Sequence, residues 1–313
     1  MLIKKYSDEC KVVWDEFVSL SKTQHFFFFR EYLNYHKSRF EDHSLMFYDE
    51  KGTLLALLPA NRDGNLLISH QGLTFGGLLI KPSTKQVDVI KIFQSILDYM
   101  EHNSIGRFLY KKCPQIYCSM PNDEDLYALF KLRASLVRRD VSSAIKVGNQ
   151  IKYSKGRKWI IKKSKSFNLV YNETEDLNQF WSRLSEVLEK YHGAKPVHSL
   201  EEIDFLQKKF PNNIKFYSAQ VENECLAGAV IFDTGITVHT QYLFNTDQGR
   251  EFGALDGLLD YLVKSRYKDK EYFDFGTSNE QQGRYLNEGL IGQKEGFGAR
   301  AIVHDFYELK LND

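Results

Sequence analysis

Apolar positions recur at helical spacing in several stretches of the chain. The clearest is 176–191, where Leu177, Phe180, Trp181, Leu184, Val187, Leu188 and Tyr191 share one face. Residues 86–101 align Ile90, Phe93, Leu97 and Met100; residues 124–133 align Leu126, Leu129 and Phe130; residues 252–266 align Leu255, Leu258, Leu259 and Leu262. Val12, Val13 and Phe17 mark a first, shorter helix. Between the helices lie short β-rich runs bounded by turn residues. The first half is predicted to hold strands near 44–49, 53–60, 65–70, 74–80, 107–112 and 135–145. The second half is predicted to hold strands near 214–221, 225–233, 236–244, 272–275 and 301–309. Turns are expected at Asp49-Glu50-Lys51-Gly52, Arg62-Asp63-Gly64-Asn65, Glu222-Asn223-Glu224 and Asp233-Thr234-Gly235.

The order of elements then repeats. Antiparallel strands, a helix, a strand and a closing strand occur in each half at an offset of about 165 residues, a pattern of two copies of one α/β unit. Each copy is expected to be a mixed, mostly antiparallel sheet flanked by helices. The join is expected near 146–158, and 276–300 reads as a glycine-rich turn region.

Composition narrows the class. The 313 residues are 42% hydrophobic and 14% aromatic, too apolar for a disordered chain. Cys10, Cys113, Cys118 and Cys225 show no CxxC spacing, so neither a disulfide scaffold nor a metal site is expected. The polar N-terminus lacks a signal-type apolar stretch, and no run of about 18 apolar residues occurs; a cytoplasmic protein without a membrane span is expected. The 42 Lys+Arg nearly balance the 41 Asp+Glu, but not evenly along the chain. No acid occurs between Asp140 and Glu173, a window holding Arg157 and seven lysines. This predicts a local anion site or a solvated basic helix rather than a general nucleic-acid coat.

Three segments carry more specific information. They are Tyr272-Phe273-Asp274-Phe275-Gly276-Thr277-Ser278, then Gly292-Gln293-Lys294-Glu295-Gly296-Phe297-Gly298-Ala299, then Val303-His304-Asp305-Phe306-Tyr307-Glu308-Leu309. This order of strand, Lys-x-Gly-Phe-Gly and closing strand resembles the FemAB-like branch of the GNAT acyltransferase superfamily. Arg157-Lys158-Trp159-Ile160-Ile161-Lys162-Lys163-Ser164 resembles the basic helix that opens the second domain there. The resemblance spans about residues 150–309; the first half matches in element order alone. It implies tandem GNAT-like domains, residues 1–150 walling an acceptor cleft and residues 151–313 holding the donor site. It also implies transfer of an acyl or aminoacyl group, from acyl-CoA or aminoacyl-tRNA, to an amine of a cell-wall or surface-polysaccharide precursor. The missing heptad arm and the lack of net basicity lean the donor toward acyl-CoA.

Candidate chemistry follows from the residues. Lys294 stands where the family keeps a lysine near the reacting carbonyl, and a cation there would stabilise an oxyanion. Asp274, ending an apolar strand, could orient the amine or accept its proton. His239, Gln241 and Tyr242 lie on the strand that splays toward the donor in GNAT folds; strict alternation puts His239 and Gln241 on one face and Tyr242 on the other. Gln248-Gly249-Arg250-Glu251-Phe252-Gly253-Ala254 approaches the pyrophosphate-cradling pattern of CoA-binding domains, through Arg250, Gly253 and Ala254, although Leu255 replaces an expected small residue. Arg157, Lys162 and Lys163 are candidate phosphate ligands, and Arg284 and Tyr285 candidate cleft residues. No Gly-x-Ser-x-Gly elbow, His-Glu-x-x-His or P-loop is present. Two other readings stay open: a catalytically silent GNAT-fold module that binds a nucleotide-like ligand or a partner protein, and a nucleic-acid binder using 146–165.

Overall fold

A computed structural model describes residues 1–149 and 151–311. The chain divides into two compact units. The first holds Met1–Val141, Asn279–Tyr285 and the chain from Val303 onward; the second holds Ser142–Ser278 and Leu286–Ile302. The change of unit therefore comes before the basic window, inside a strand, and the C-terminal half lends two segments to the first unit.

In chain order the elements begin with β1 (Leu2–Lys5), α1 (Lys11–Leu20), α2 (Arg30–Tyr35), β2 (Glu41–Asp42), β3 (Leu45–Tyr48), β4 (Leu54–Leu58), β5 (Asn61–Asp63), β6 (Leu66–Ile68) and β7 (Leu79–Ile80). There follow α3 (Gln86–His102), β8 (Arg107–Lys111), α4 (Glu124–Lys131) and β9 (Ser135–Lys146). The next are α5 (Lys155–Ser164), β10 (Val170–Glu173), α6 (Leu177–His192), α7 (Leu200–Lys209), β11 (Ile214–Val221), β12 (Glu224–Asp233) and β13 (Thr237–Asn245). The chain then runs through α8 (Asp247–Phe252), α9 (Ala254–Tyr261), β14 (Tyr272–Thr277), β15 (Asn279–Glu280), β16 (Tyr285–Leu286), α10 (Glu288–Gly296) and β17 (Arg300–Lys310). Among the described residues no helix is long and apolar enough to cross a membrane.

In the first unit β1-β3-β4-β7 form one antiparallel sheet, and β8, β6, β5 and β2 lie side by side in another. Within the second sheet β6 and β8 run parallel, Leu67 opposite Phe108, joined through α3. Phe93, Ile96 and Met100 of α3 are fully buried against this framework. Beyond the paired residues β6 and β8 stay tied, the Ser69 N–H donating to the Leu109 carbonyl (3.0 Å). Lys111, buried, donates from Nζ to the carbonyls of His70 (3.0 Å), Gln71 (3.2 Å) and Leu73 (2.6 Å). A Cβ on Gly76 would stand 1.8 Å from the Ser69 carbonyl oxygen.

The second unit orders its strands β10-β11-β12-β13-β14, with Ser142–Lys146 of β9 outside β14. All neighbours are antiparallel except β13 and β14. This parallel pair, joined through α9, repeats the β6–α3–β8 arrangement. Helix α6 forms where the stripe predicts it. Asp176 caps its start by accepting from the Gln179 N–H (3.0 Å), and Gly193 ends it at φ +57°. Helix α7, which has no equally clear stripe, carries a reciprocal Ser199–Glu202 capping box. Phe180 of α6 packs edge-on against Phe244 of β13, ring centroids 5.0 Å apart, directly over Gly228 of β12. A Cβ at Gly228 would lie 2.2 Å from the Phe244 ring. Gly228→Ala is therefore expected to destabilise the second unit by about 1–3 kcal/mol, read as a lower urea midpoint at unchanged slope.

Candidate active site

The parallel pairing of β13 with β14 covers only Thr237, Val238 and His239 against Tyr272, Phe273 and Asp274. After that the strands part, each disturbed by a bulge. On β13 Thr240 faces Ile231 and Tyr242 faces Val230, leaving Gln241 as the extra residue. On β14 the register with β9 shifts between Asp274 and Thr277, and Gly276 there takes φ +77°.

A cavity of about 520 Å³ opens at this parting. Leu243 and Phe244 of β13, Phe275 of β14, Leu255 and Leu259 of α9 and Phe297 give it apolar walls. Lys294, Asp256, Asn245 and Arg250 are among its polar groups.

Lys294 sits on α10, whose start Asn287 caps by accepting from the Leu290 N–H (2.9 Å). This is a helix where the glycine spacing had predicted a turn. The lysine is 7% exposed and its Nζ donates to the Gly276 carbonyl (2.8 Å), the Thr277 carbonyl (2.7 Å) and the Ser278 hydroxyl (2.9 Å). Burial pulls its pKa down to about 8, against an opposing pull from the Asp274 charge.

Asp274 is fully buried. Its Oδ1 accepts from the Ser142 hydroxyl and from the Gly276 N–H (3.0 Å), and its Oδ2 meets His239 Nδ1 at 3.0 Å. A carboxylate acceptor places the proton on Nδ1 and the lone pair of the imidazole on Nε2. Asp274 is expected from the sequence to orient the amine or accept its proton; it lies fully buried and is not among the residues lining the cavity. Its partner His239 is half-buried and packs beside Gly276; a Cβ on Gly276 would be 3.2 Å from its Cε1. Asp274, His239, Gly276 and Lys294 thus form one connected group.

The other expected residues scatter. Gln241 and Tyr242 do not line the cavity; the bulge breaks strict alternation, and Leu243, Phe244 and Asn245 take that place. The Tyr242 hydroxyl meets His198 Nδ1 at 2.7 Å, and its ring packs edge-on to Trp181. Arg250 reaches the cavity with its guanidinium 3.7 Å above the Tyr191 ring. Gly253 breaks α8 from α9 at φ +72° but is covered by α5: a Cβ there would lie 2.7 Å from Ile160 Cγ2 and 3.0 Å from its carbonyl oxygen. Ala254 is core. Arg157 pairs with Asp256 and lies over the Phe297 ring (4.9 Å). Lys162 is exposed, and Lys163 lies 5.7 Å over the ring of exposed Trp159. Arg284 and Tyr285 are exposed and belong to the first unit; Arg284 there lines a separate hollow with Arg138 and Arg139.

Asp256 went unread in the sequence. It is the third residue of α9, lines the cavity and is 6% exposed; burial raises its pKa against the pull of Arg157. The one signal for it is an acid inside the stripe Leu255, Leu258, Leu259. Among the described residues no three potential metal ligands cluster.

No protein-family model matches the sequence, and no curated protein matches it. Solved structures do match. FemX aligns at TM-score 0.70 and 8% identity over 100% of this chain and 98% of its own. L-PGS from Bacillus licheniformis aligns at TM-score 0.62 and 14% identity over 98% and 92%. A tandem GNAT protein from the clavulanic acid biosynthesis pathway aligns at TM-score 0.51 and 9% identity over 99% and 98%. At such identities the likeness is one of fold. The fold is like that of FemX and the tandem GNAT protein, mixed sheets flanked by helices, as the sequence resemblance implied.

Proposed function

We propose that this chain, with its FemX-like fold, is an N-acyltransferase that moves an aminoacyl group from tRNA to an amine of a cell-wall or surface-polysaccharide precursor. The carrying observation is the cavity at the β13–β14 parting, where Lys294 meets apolar walls and is tied through Gly276 to the Asp274–His239 pair. In this reading the second unit holds the donor. The acceptor amine attacks the ester carbonyl. Lys294 turns one N–H from β14 toward the developing oxyanion, and His239 takes the amine proton and returns it to the tRNA 3′-oxygen, which leaves as a hydroxyl. Asp274 holds His239 in the required tautomer.

The first turn of α9 supports one donor over the other. In acyl-CoA binding a diphosphate would lie on the amides of such a turn. Here the turn carries the Asp256 carboxylate, which answers the helix dipole itself and repels an anion, and α5 covers Gly253. A carboxylate suits the α-ammonium of an aminoacyl group. This turns the lean from acyl-CoA to aminoacyl-tRNA.

The test is mass-spectrometric turnover of nucleotide-linked amino-sugar and peptide precursors, with a mixed aminoacyl-tRNA pool beside acetyl-CoA. Aminoacyl products from the tRNA arm are expected. Products from acetyl-CoA alone would reverse the choice of donor, and no product from either would remove the enzyme reading.

One observation favours a second reading, a catalytically silent module. All three Nζ donors of Lys294 are already engaged by the end of β14. A silent module would bind ligand without turnover, and Lys294→Ala would then change stability and not chemistry.

A further inference from the structure

Resting on the aminoacyl-donor reading, we propose that the cavity selects an aminoacyl group with a bulky apolar side chain, of leucyl or phenylalanyl size, over glycyl, alanyl and lysyl groups.

The walls carry this inference. Leu243, Phe244, Leu255, Leu259, Phe275 and Phe297 come from four separate segments and converge on one space of about 520 Å³. Phe244, Leu259, Phe275 and Phe297 are each less than 5% exposed, held by the sheet and by one another; Phe275 and Phe297 stack with centroids 5.6 Å apart. Their positions are set by the core, so the space does not close around a small group. A glycyl or alanyl group would leave most of the apolar wall uncovered, whereas a branched or aromatic side chain would cover it.

Charge points the same way. Asp256 is the carboxylate on the wall, and Arg157 already shares it. It has capacity for the α-ammonium that every aminoacyl group carries. A lysyl side chain would bring a second cation among aliphatic and aromatic walls, where an unpaired charge is costly. Lys294, itself a wall residue, repels it further. An apolar acyl group could instead arrive on CoA, and the two sources differ in what lies beyond the carbonyl.

The experiment is isothermal titration of the full chain with one tRNA body carrying leucyl, phenylalanyl, alanyl, glycyl or lysyl groups through a stable 3′-amide. Uncharged tRNA and isovaleryl-CoA are measured beside them. Leucyl and phenylalanyl forms are expected to bind at least tenfold more tightly than alanyl, because each buried methylene is worth about tenfold or more in an apolar pocket. The lysyl form is expected to bind no better than alanyl. Leu243→Trp, at a half-buried wall position, narrows the space and is expected to shrink the leucyl-to-alanyl ratio at least tenfold. Equal binding of all charged forms, or tightest binding of alanyl or lysyl, overturns the selectivity and leaves the donor reading standing. Tight isovaleryl-CoA binding with no difference between charged and uncharged tRNA overturns the donor reading as well.

Discussion

Lys294→Ala is expected to lower transfer by about 10²–10³-fold, the usual loss when one donor to a developing oxyanion is removed. The same substitution releases the Gly276 and Thr277 carbonyls and the Ser278 hydroxyl, so stability must be followed in parallel. Lys294→Met loses the same three bonds but keeps the apolar stem in place, so its urea midpoint shows how much of the loss is structural. A Met variant with a near-normal urea midpoint and the full loss of rate assigns the loss to chemistry. A Met variant as active as the parent would remove Lys294 from the mechanism. The pH dependence gives a second reading of the same group. Its pKa is lowered by burial from 10.5 to about 8, so between these values the unfolded chain holds a proton that the folded chain has released. Stability from this group therefore rises with pH across about 8 to 10.5. Transfer that needs the ammonium falls through the same lower limb, near pH 8, and the Met variant is expected to lose that limb.

Asp274→Ala is expected to cost about 3–5 kcal/mol. It strips partners from the Ser142 hydroxyl, the Gly276 N–H and His239 Nδ1, all behind a fully buried position. The measurement is the urea midpoint of the second unit's transition, and a shift below 1 kcal/mol would show that the buried carboxylate is not a structural tie. Asp274→Asn tests function at smaller structural cost. Its oxygen can still accept from Ser142 and Gly276, but its NH₂ then faces His239 Nδ1. The imidazole must accept there and carry its proton on Nε2, where it cannot take a proton from the amine. Transfer is expected to fall by about 10²-fold or more, the worth of a positioned base, with the fold retained.

The fold was legible because its periods are strong. The stripes of α3 and α6 and the β-rich runs from 214 to 244 admit one secondary structure, and the offset of about 165 residues reappears as two parallel strand pairs, each joined through a helix. Helix α10 was not legible. Gly289, Gly292 and Gly296 give it the composition of a turn and it has no apolar stripe; its Asn287 cap and the tertiary bonds of Lys294 stand in for propensity. Lys294, His239 and Asp274 could be named from spacing and resemblance. Their connection through Gly276 could not, since it depends on where β13 and β14 part. The same bulge moved the cavity wall from Gln241 and Tyr242 to Leu243, Phe244 and Asn245. Asp256 stayed hidden because its partner, Arg157, lies 99 residues upstream.

The packed site beside β8 limits what that half of the chain can hold. Its plug is largely main chain: the 70–76 loop presses on Ser69, and Lys111 is spent on three carbonyls. No trimming of a single side chain removes main chain, so point substitutions cannot convert that half into a second loading port. On the aminoacyl-donor reading the chain should therefore titrate with one equivalent of charged carrier per polypeptide, not two.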